Sequence, residues 1–218
     1  MRGRGRRQPG AQPGSPEPVG KLVLASASPR RADLLRAAGF DFDVRPSCVV
    51  EWPYPGGDPA EYAEALARAK ADGMDGEPVV GADTIVVVDG EVFGKPDGAR
   101  AASLMLHRLS GRTHEVVTAV AVRDRHGMRS GHDRARVSFR ALRPAEVRAY
   151  VASGEPLDKA GAYGLQGAAA EFVTAVEGNP QTVIGLPIEL LERLLADPPR
   201  GEGPGYPPAA GDVAADLS

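Results

Sequence analysis

Three stretches of this chain combine residue types that suit phosphate chemistry. In residues 22–31 a short apolar run ends at Ser26-Ala27-Ser28-Pro29, and Arg30 and Arg31 follow at once. Ser28 can cap a helix that starts at Pro29. The free N–H groups and partial positive charge of a helix start favour acids or anions there. Two arginines placed against that preference point to an anion between them, with the Ser26 and Ser28 hydroxyls as further donors. The plainer alternative is a capped helix with solvated arginines, since no Walker-type spacing is present. The second stretch is Gly81-Ala82-Asp83-Thr84, inside a run that is otherwise Val and Ile. A carboxylate within a buried strand is unfavourable unless it is paired or holds a metal. Asp83 is therefore a candidate Mg²⁺ ligand or acceptor of a proton from water. The third group is basic and polar: Lys70, Lys95 in Gly94-Lys95-Pro96, and the Gly-rich residues 158–167 with Gln166. The amide of Gln166 can read a base edge or belong to an ordinary turn. Each lysine taken alone is most often a solvated surface residue.

The elements that must position these groups are legible in part. Residues 22–25 and 79–88 read as buried strands, and 40–44 as a half-buried one. Asp89-Gly90 predicts a hairpin leading into Val92 and Phe93. Helices are predicted from Pro29 to Gly39, from Asp58-Pro59 to Gly73, over 99–109, from Pro144 to near Gly154, and over 187–195. Residues 116–122 and 135–139 read as strands paired around His126-Gly127, and 171–176 as a further strand. Strands and helices do not alternate strictly, so the fold class is α/β with a mixed sheet and flanking helices.

Bulk composition fits one globular domain: 218 residues, 42% hydrophobic and 25% charged. The net charge of −3 argues against a general nucleic-acid binder, yet leaves room for a local cationic pocket. The single cysteine, Cys48, excludes an internal disulfide and suggests a reducing compartment. No apolar run reaches about eighteen residues, which excludes a transmembrane helix, and the basic start lacks the apolar stretch of a secretory signal. The reading is a cytoplasmic protein with no membrane partner. Residues 1–20 are a basic Arg/Gly/Pro-rich arm and 197–218 a Pro/Gly/Ala-rich tail, both expected to be disordered, around a domain at 21–196.

Taken in order, LASASPRRADLL (24–35), Glu51, ARAKA (67–71), GADTIVVVDGEVFGKP (81–96), LSGRTHEVVTAVAV (109–122), LDKAGAYGLQG (157–167) and VIGLP (183–187) resemble the Maf family of nucleoside triphosphate pyrophosphatases. The resemblance spans nearly all of 21–195. It implies a mixed twisted sheet in two lobes around a cleft, a homodimer, and hydrolysis between the α- and β-phosphates dependent on Mg²⁺ or Mn²⁺. By this likeness Asp83 and Glu51 are the metal-associated acids, with Asp83 the proton acceptor. Ser26, Arg31, Lys70 and Lys95 surround the phosphates, beside Ser28, while Arg30, Thr84 and Gln166 match positions tied to substrate choice. Those three identities resemble the subgroup acting on dTTP and UTP, which would serve to clean nucleotide pools. Modified purine triphosphates are the rival substrates. A regulatory role in septum formation, to which the family is also linked, is the rival from another class. Trp52 after Glu51 and Asn179-Pro180 before Gln181 depart from the family pattern. For His114 the expectation is a structural hydrogen bond.

Overall fold

The computed structural model describes residues 21–196; the two predicted tails lie outside the described residues. The order is β1 (Leu22–Leu24), α1 (Pro29–Ala37), β2 (Phe42–Val44), α2 (Pro59–Asp72), β3 (Val79–Val88), β4 (Glu91–Phe93), α3 (Gly98–Leu109), β5 (Thr113–Asp124), β6 (Gly127–Phe139), α4 (Pro144–Ala152), β7 (Val173–Glu177), α5 (Pro180–Ile184) and α6 (Ile188–Ala196). The strands form one mixed seven-stranded sheet in the order β2-β1-β3-β5-β6-β7, with β4 paired to β3. β1 runs parallel to β2 and β3, and every other pairing is antiparallel. The mixed α/β class read from the pattern is thus the observed one.

Local chemistry explains the boundaries. Ser28 is the N-cap of α1 with Pro29 at the first position, but its side chain makes no capping bond; its amide instead donates to Ser26 Oγ at 3.2 Å. Asp58 caps α2 by accepting from the Ala60 amide at 2.9 Å. Asp89 and Gly90 both adopt positive φ, which is what the tight β3–β4 turn requires. The long β5–β6 pair extends beyond the predicted strands at both ends. Three single turns of 3₁₀ helix, Glu155–Asp158, Ala160–Ala162 and Ala168–Phe172, together with the five-residue α5, were not predicted. They are too short to carry a hydrophobic period.

The sheet's two faces bury different partners. Val23, Ala25, Val79, Ile85, Val117 and Ala119 pack with Ala60, Ala63, Ala67 and Ala71 of α2. Leu22, Leu24, Val80 and Ala82 point the other way, toward Ala32 and Leu35 of α1 and Leu191 of α6. Alternation along β1 and β3 therefore puts α1 and α2 on opposite faces. The crossover through α1 leads outward to β2 and that through α2 leads back to β3, so a common hand demands opposite faces. A third cluster joins Leu106, Leu109, Val147, Tyr150, Tyr163 and Phe172 at the far end. Among the described residues, no helix is long and apolar enough to cross a membrane.

Candidate active site

The site lies at a notch in the sheet. β1 pairs with β3 only as far as Val80, and β4 begins pairing at Val86. Between them, among the described residues, 81–85 of β3 have no strand on that edge, and a cleft of about 450 Å³ opens against it. This is the crevice beyond the carboxyl end of β1 where neighbouring connections diverge, a common ligand position in α/β sheets. The notch also explains how Asp83 and Thr84, adjacent and pointing to opposite faces, both line one cleft.

On the α2 face an ion cluster forms. Lys70 Nζ donates to Asp83 Oδ1 at 2.5 Å and to Glu51 Oε1 at 2.7 Å. Lys70 and Asp83 are only 8% and 5% exposed, which overturns the default reading of a solvated lysine. Lys70 reaches Asp83 because α2 lies unusually close to β3. A Cβ on Gly81 would sit 2.2 Å from the Ala67 carbonyl oxygen, so only glycine permits this approach. Burial raises the pKa of Asp83 above the usual carboxylate value, outweighing Lys70 and Arg31, while the Glu51 charge adds to the rise. For Glu51 burial is outweighed by the Lys70 hydrogen bond and the charges of Lys70, Lys95 and Arg31, so its pKa is lowered. Burial and these two carboxylates raise the pKa of Tyr62, whose hydroxyl donates to the Trp52 carbonyl at 2.7 Å. Trp52 thus braces the Glu51 segment against α2.

On the other face Arg31 is tied down. It donates to the Gly185 and Ala82 carbonyls at 2.8 Å each, to Ser26 Oγ at 3.0 Å and to Thr84 Oγ1 at 3.1 Å. The Ala82 carbonyl is one of the β3 groups left without a strand partner by the notch. Burial lowers the Arg31 pKa, but a guanidinium remains charged throughout the accessible range. Arg30 is turned away from Arg31. It reaches across the cleft mouth to Asp158, donating to its carboxylate at 3.0 Å and its carbonyl at 3.3 Å. Lys159 in turn donates to the Asp158 carboxylate at 2.7 Å and to the Glu155 carbonyl.

All the residues singled out in the sequence line this cleft: Ser26, Ser28, Arg30, Arg31, Glu51, Lys70, Asp83, Thr84, Lys95 and Gln166. Lys95 and Gln166 are exposed there, and Lys95 makes no hydrogen bond or ion pair among the described residues. Tyr54 and Tyr62 also line it and were not singled out, and Asp158, Lys159 and Tyr163 line it from the Gly-rich stretch that had been noted only as a whole. The GLQG stretch had drawn notice to its neighbourhood, but nothing local marks Asp158 as the partner of a residue 128 positions away. His114 behaves as expected: its Nε2 shares a 2.7 Å hydrogen bond with the Tyr163 hydroxyl. Asn179 caps α5 by accepting from the Gln181 amide at 2.9 Å, so this departure from the family pattern has a structural use.

The donor set fits a divalent cation shared with a ligand. Lys70 engages Asp83 Oδ1 and Glu51 Oε1, leaving one oxygen of each carboxylate for a hard cation. No group of three or more His, Cys, Asp or Glu residues is positioned to hold a metal among the described residues. Two carboxylates suit Mg²⁺ or Mn²⁺ when phosphate oxygens and water complete the shell.

Residues 21–197 match the family model described as Maf-like protein. The dTTP/UTP pyrophosphatase of Moorella thermoacetica is 51% identical over 186 residues, covering 82% of this chain and 95% of that protein. The protein of the same name from Geobacter sulfurreducens is 49% identical over 182 residues, covering 80% and 95%. That of an Anaeromyxobacter species is 46% identical over 200 residues, covering 88% and 97%. With its phosphate-suited cleft matched over nearly the whole described fold, this chain belongs to the Maf family.

Proposed function

We propose that this protein is a nucleoside triphosphate pyrophosphatase that hydrolyses dTTP and UTP to the monophosphate and pyrophosphate. The observation that carries the reading is the buried Asp83–Lys70 pair at the notch, joined by the exposed Glu51 and facing the cations of the same cleft. The relatives' shared name, dTTP/UTP pyrophosphatase, supports the substrate class. Attack of water on phosphorus needs orientation and charge neutralisation more than covalent help.

Asp83 orients the water and accepts its proton. A pKa raised by burial makes Asp83 a better base than an ordinary aspartate. Asp83 and Glu51 would hold a divalent cation, which would supply charge neutralisation and Lewis acidity. Lys95 stabilises the charge that develops on the leaving pyrophosphate. Ser26 accepts from Arg31 and from the Ser28 amide, so its single proton is free to donate toward the substrate. Arg30, Thr84 and Gln166 govern base preference. The reading extends to a homodimer in the cytoplasm that removes unwanted nucleotides.

The test is pyrophosphate release from a panel of canonical and modified triphosphates, with Mg²⁺ and with Mn²⁺, beside Asp83→Asn. Metal-dependent release strongest on dTTP and UTP is expected, and Asp83→Asn should lower kcat by about 10²–10⁴-fold. Release confined to modified purines discards the pyrimidine assignment. A folded Asp83→Asn protein with a near-wild-type rate discards the general base.

A further inference from the structure

The contacts of Arg31 fix the direction of a hydrogen-bond chain that runs from the cleft into the core. A guanidinium has five N–H donors. Nε donates to the Gly185 carbonyl, both protons of Nη1 go to Ser26 Oγ and the Ala82 carbonyl, and one of Nη2 goes to Thr84 Oγ1. Four donors are engaged, and among the described residues the second N–H of Nη2 has no acceptor.

The far end of the chain is equally constrained. Thr118 Oγ1 lies 2.6 Å from the Thr182 carbonyl, an atom that can only accept, so the Thr118 proton goes there. The Thr84 and Thr118 hydroxyls lie 2.9 Å apart, directly opposite each other in the β3–β5 register. The only proton left to fill that contact belongs to Thr84. Donation therefore runs from Arg31 to Thr84, to Thr118, to the Thr182 carbonyl, with a cation at its head to polarise each bond in the same sense. Thr118 and Thr182 are both 0% exposed, so water does not compete.

Two consequences follow for a bound nucleotide. Thr84 has no proton to offer it and can act on it only as an acceptor or through Arg31. The aim of the one free Arg31 N–H, meanwhile, depends on Thr118, which lies outside the cleft lining. We infer that Thr118 is a positioning residue for substrate binding: through Thr84 it holds the Arg31 guanidinium so that its single uncommitted N–H meets a phosphate oxygen of the triphosphate. The inference rests on the pyrophosphatase reading.

The experiment is calorimetric titration of the full chain with the α,β-imido analogue of dTTP in Mg²⁺. It compares wild type, Thr118→Val, Thr118→Ser, Arg31→Ala and the Arg31→Ala/Thr118→Val double variant, each checked for folding by its thermal midpoint. Thr118→Val should weaken binding about tenfold, and Thr118→Ser, which restores the hydroxyl, should stay within about twofold of wild type. In the Arg31→Ala background, Thr118→Val should change affinity by less than about twofold, because the residue it acts through is gone. Equal weakening in both backgrounds, failure of Ser to restore, or no weakening by Val each overturns the positioning role. If Thr118→Val does not fold, Thr118→Cys keeps a side chain there with a poor donor and is judged by the same comparison. A wild-type protein that binds the analogue while Thr118→Val binds equally well sinks this inference alone. A wild-type protein that binds no analogue sinks the nucleotide reading, and this inference with it.

Discussion

The two walls of the cleft are built in different ways. On one side β3 and α2 meet almost backbone to backbone, through Gly81 and the alanines of α2, and this contact delivers Lys70 to Asp83. On the other side residues 155–172 are built of short 3₁₀ turns, held by two backbone hydrogen bonds, Gly161 amide to Gly94 carbonyl at 3.1 Å and Arg140 amide to Phe172 carbonyl at 2.9 Å, and otherwise largely by side chains. Tyr163 is anchored to His114, Glu155 accepts from the Tyr150 hydroxyl and the Ala168 amide, and Asp158 pairs with Arg30. A backbone contact has no alternative arrangement, so the first wall is rigid. Side-chain anchors can titrate or change partners, so the second wall is where conditions and ligands can act.

The largest effect expected from this contrast is at Gly81. Gly81→Ala would place a methyl group 2.2 Å from the Ala67 carbonyl oxygen and 2.8 Å from the Ala71 amide nitrogen. Forcing α2 away should lower unfolding free energy by about 3 kcal/mol, and the thermal midpoint by roughly 6–12 °C. A loss below about 1 kcal/mol in urea titration would mean that the first wall yields and the contrast is not real.

Next comes His114, the titratable anchor of the second wall. It is 3% exposed, and burial pushes its pKa down from 6.5 to about 4. Its folded value is depressed, so the unfolded chain takes up the proton first as pH falls. The stability His114 contributes as a neutral group is complete above pH 6.5 and drains away down to about pH 4. The full span is about 3 kcal/mol. His114→Gln, neutral at every pH, should flatten the thermal midpoint between those limits relative to wild type. Parallel curves for the two proteins would remove His114 as the acid-sensitive anchor.

The smallest effect belongs to Asp158. Its pair with Arg30 is largely exposed on the Asp158 side, so Asp158→Asn should change stability by less than about 0.5 kcal/mol. Freed from its carboxylate partner, Arg30 should attract phosphate better and lower the KM for dTTP by about threefold. An unchanged or raised KM would show that Asp158 supports the nucleotide rather than competing with it.

Legibility follows the same division. The strand-loop-helix around Ser26, the hairpin at Asp89-Gly90 and the capped start of α2 were readable because each is encoded within a few residues. Asp83 was readable as a site for a related reason: a carboxylate in a run of Val and Ile must find a partner. What that partner is, Lys70 at a distance of one close helix–sheet contact, could not be read, because it depends on Gly81 meeting Ala67 and Ala71 across two elements. Asp158, Tyr163 and Thr118 escaped for the same reason. Each looks ordinary beside its chain neighbours and gains its role from a residue at least 34 positions away.

The sequence by itself determined the longer elements, their order, and which residue types could meet a triphosphate, since periodicity, caps and turn chemistry are local properties. Only the tertiary structure decided that, among the described residues, one edge of β3 carries no strand over residues 81–85, so that neighbours on opposite faces serve one cleft. It alone decided which donors of Arg31 are already taken. Strand pairing and hydrogen-bond saturation are set by segments distant in the chain, and a donor's availability is known only once every acceptor around it has been placed.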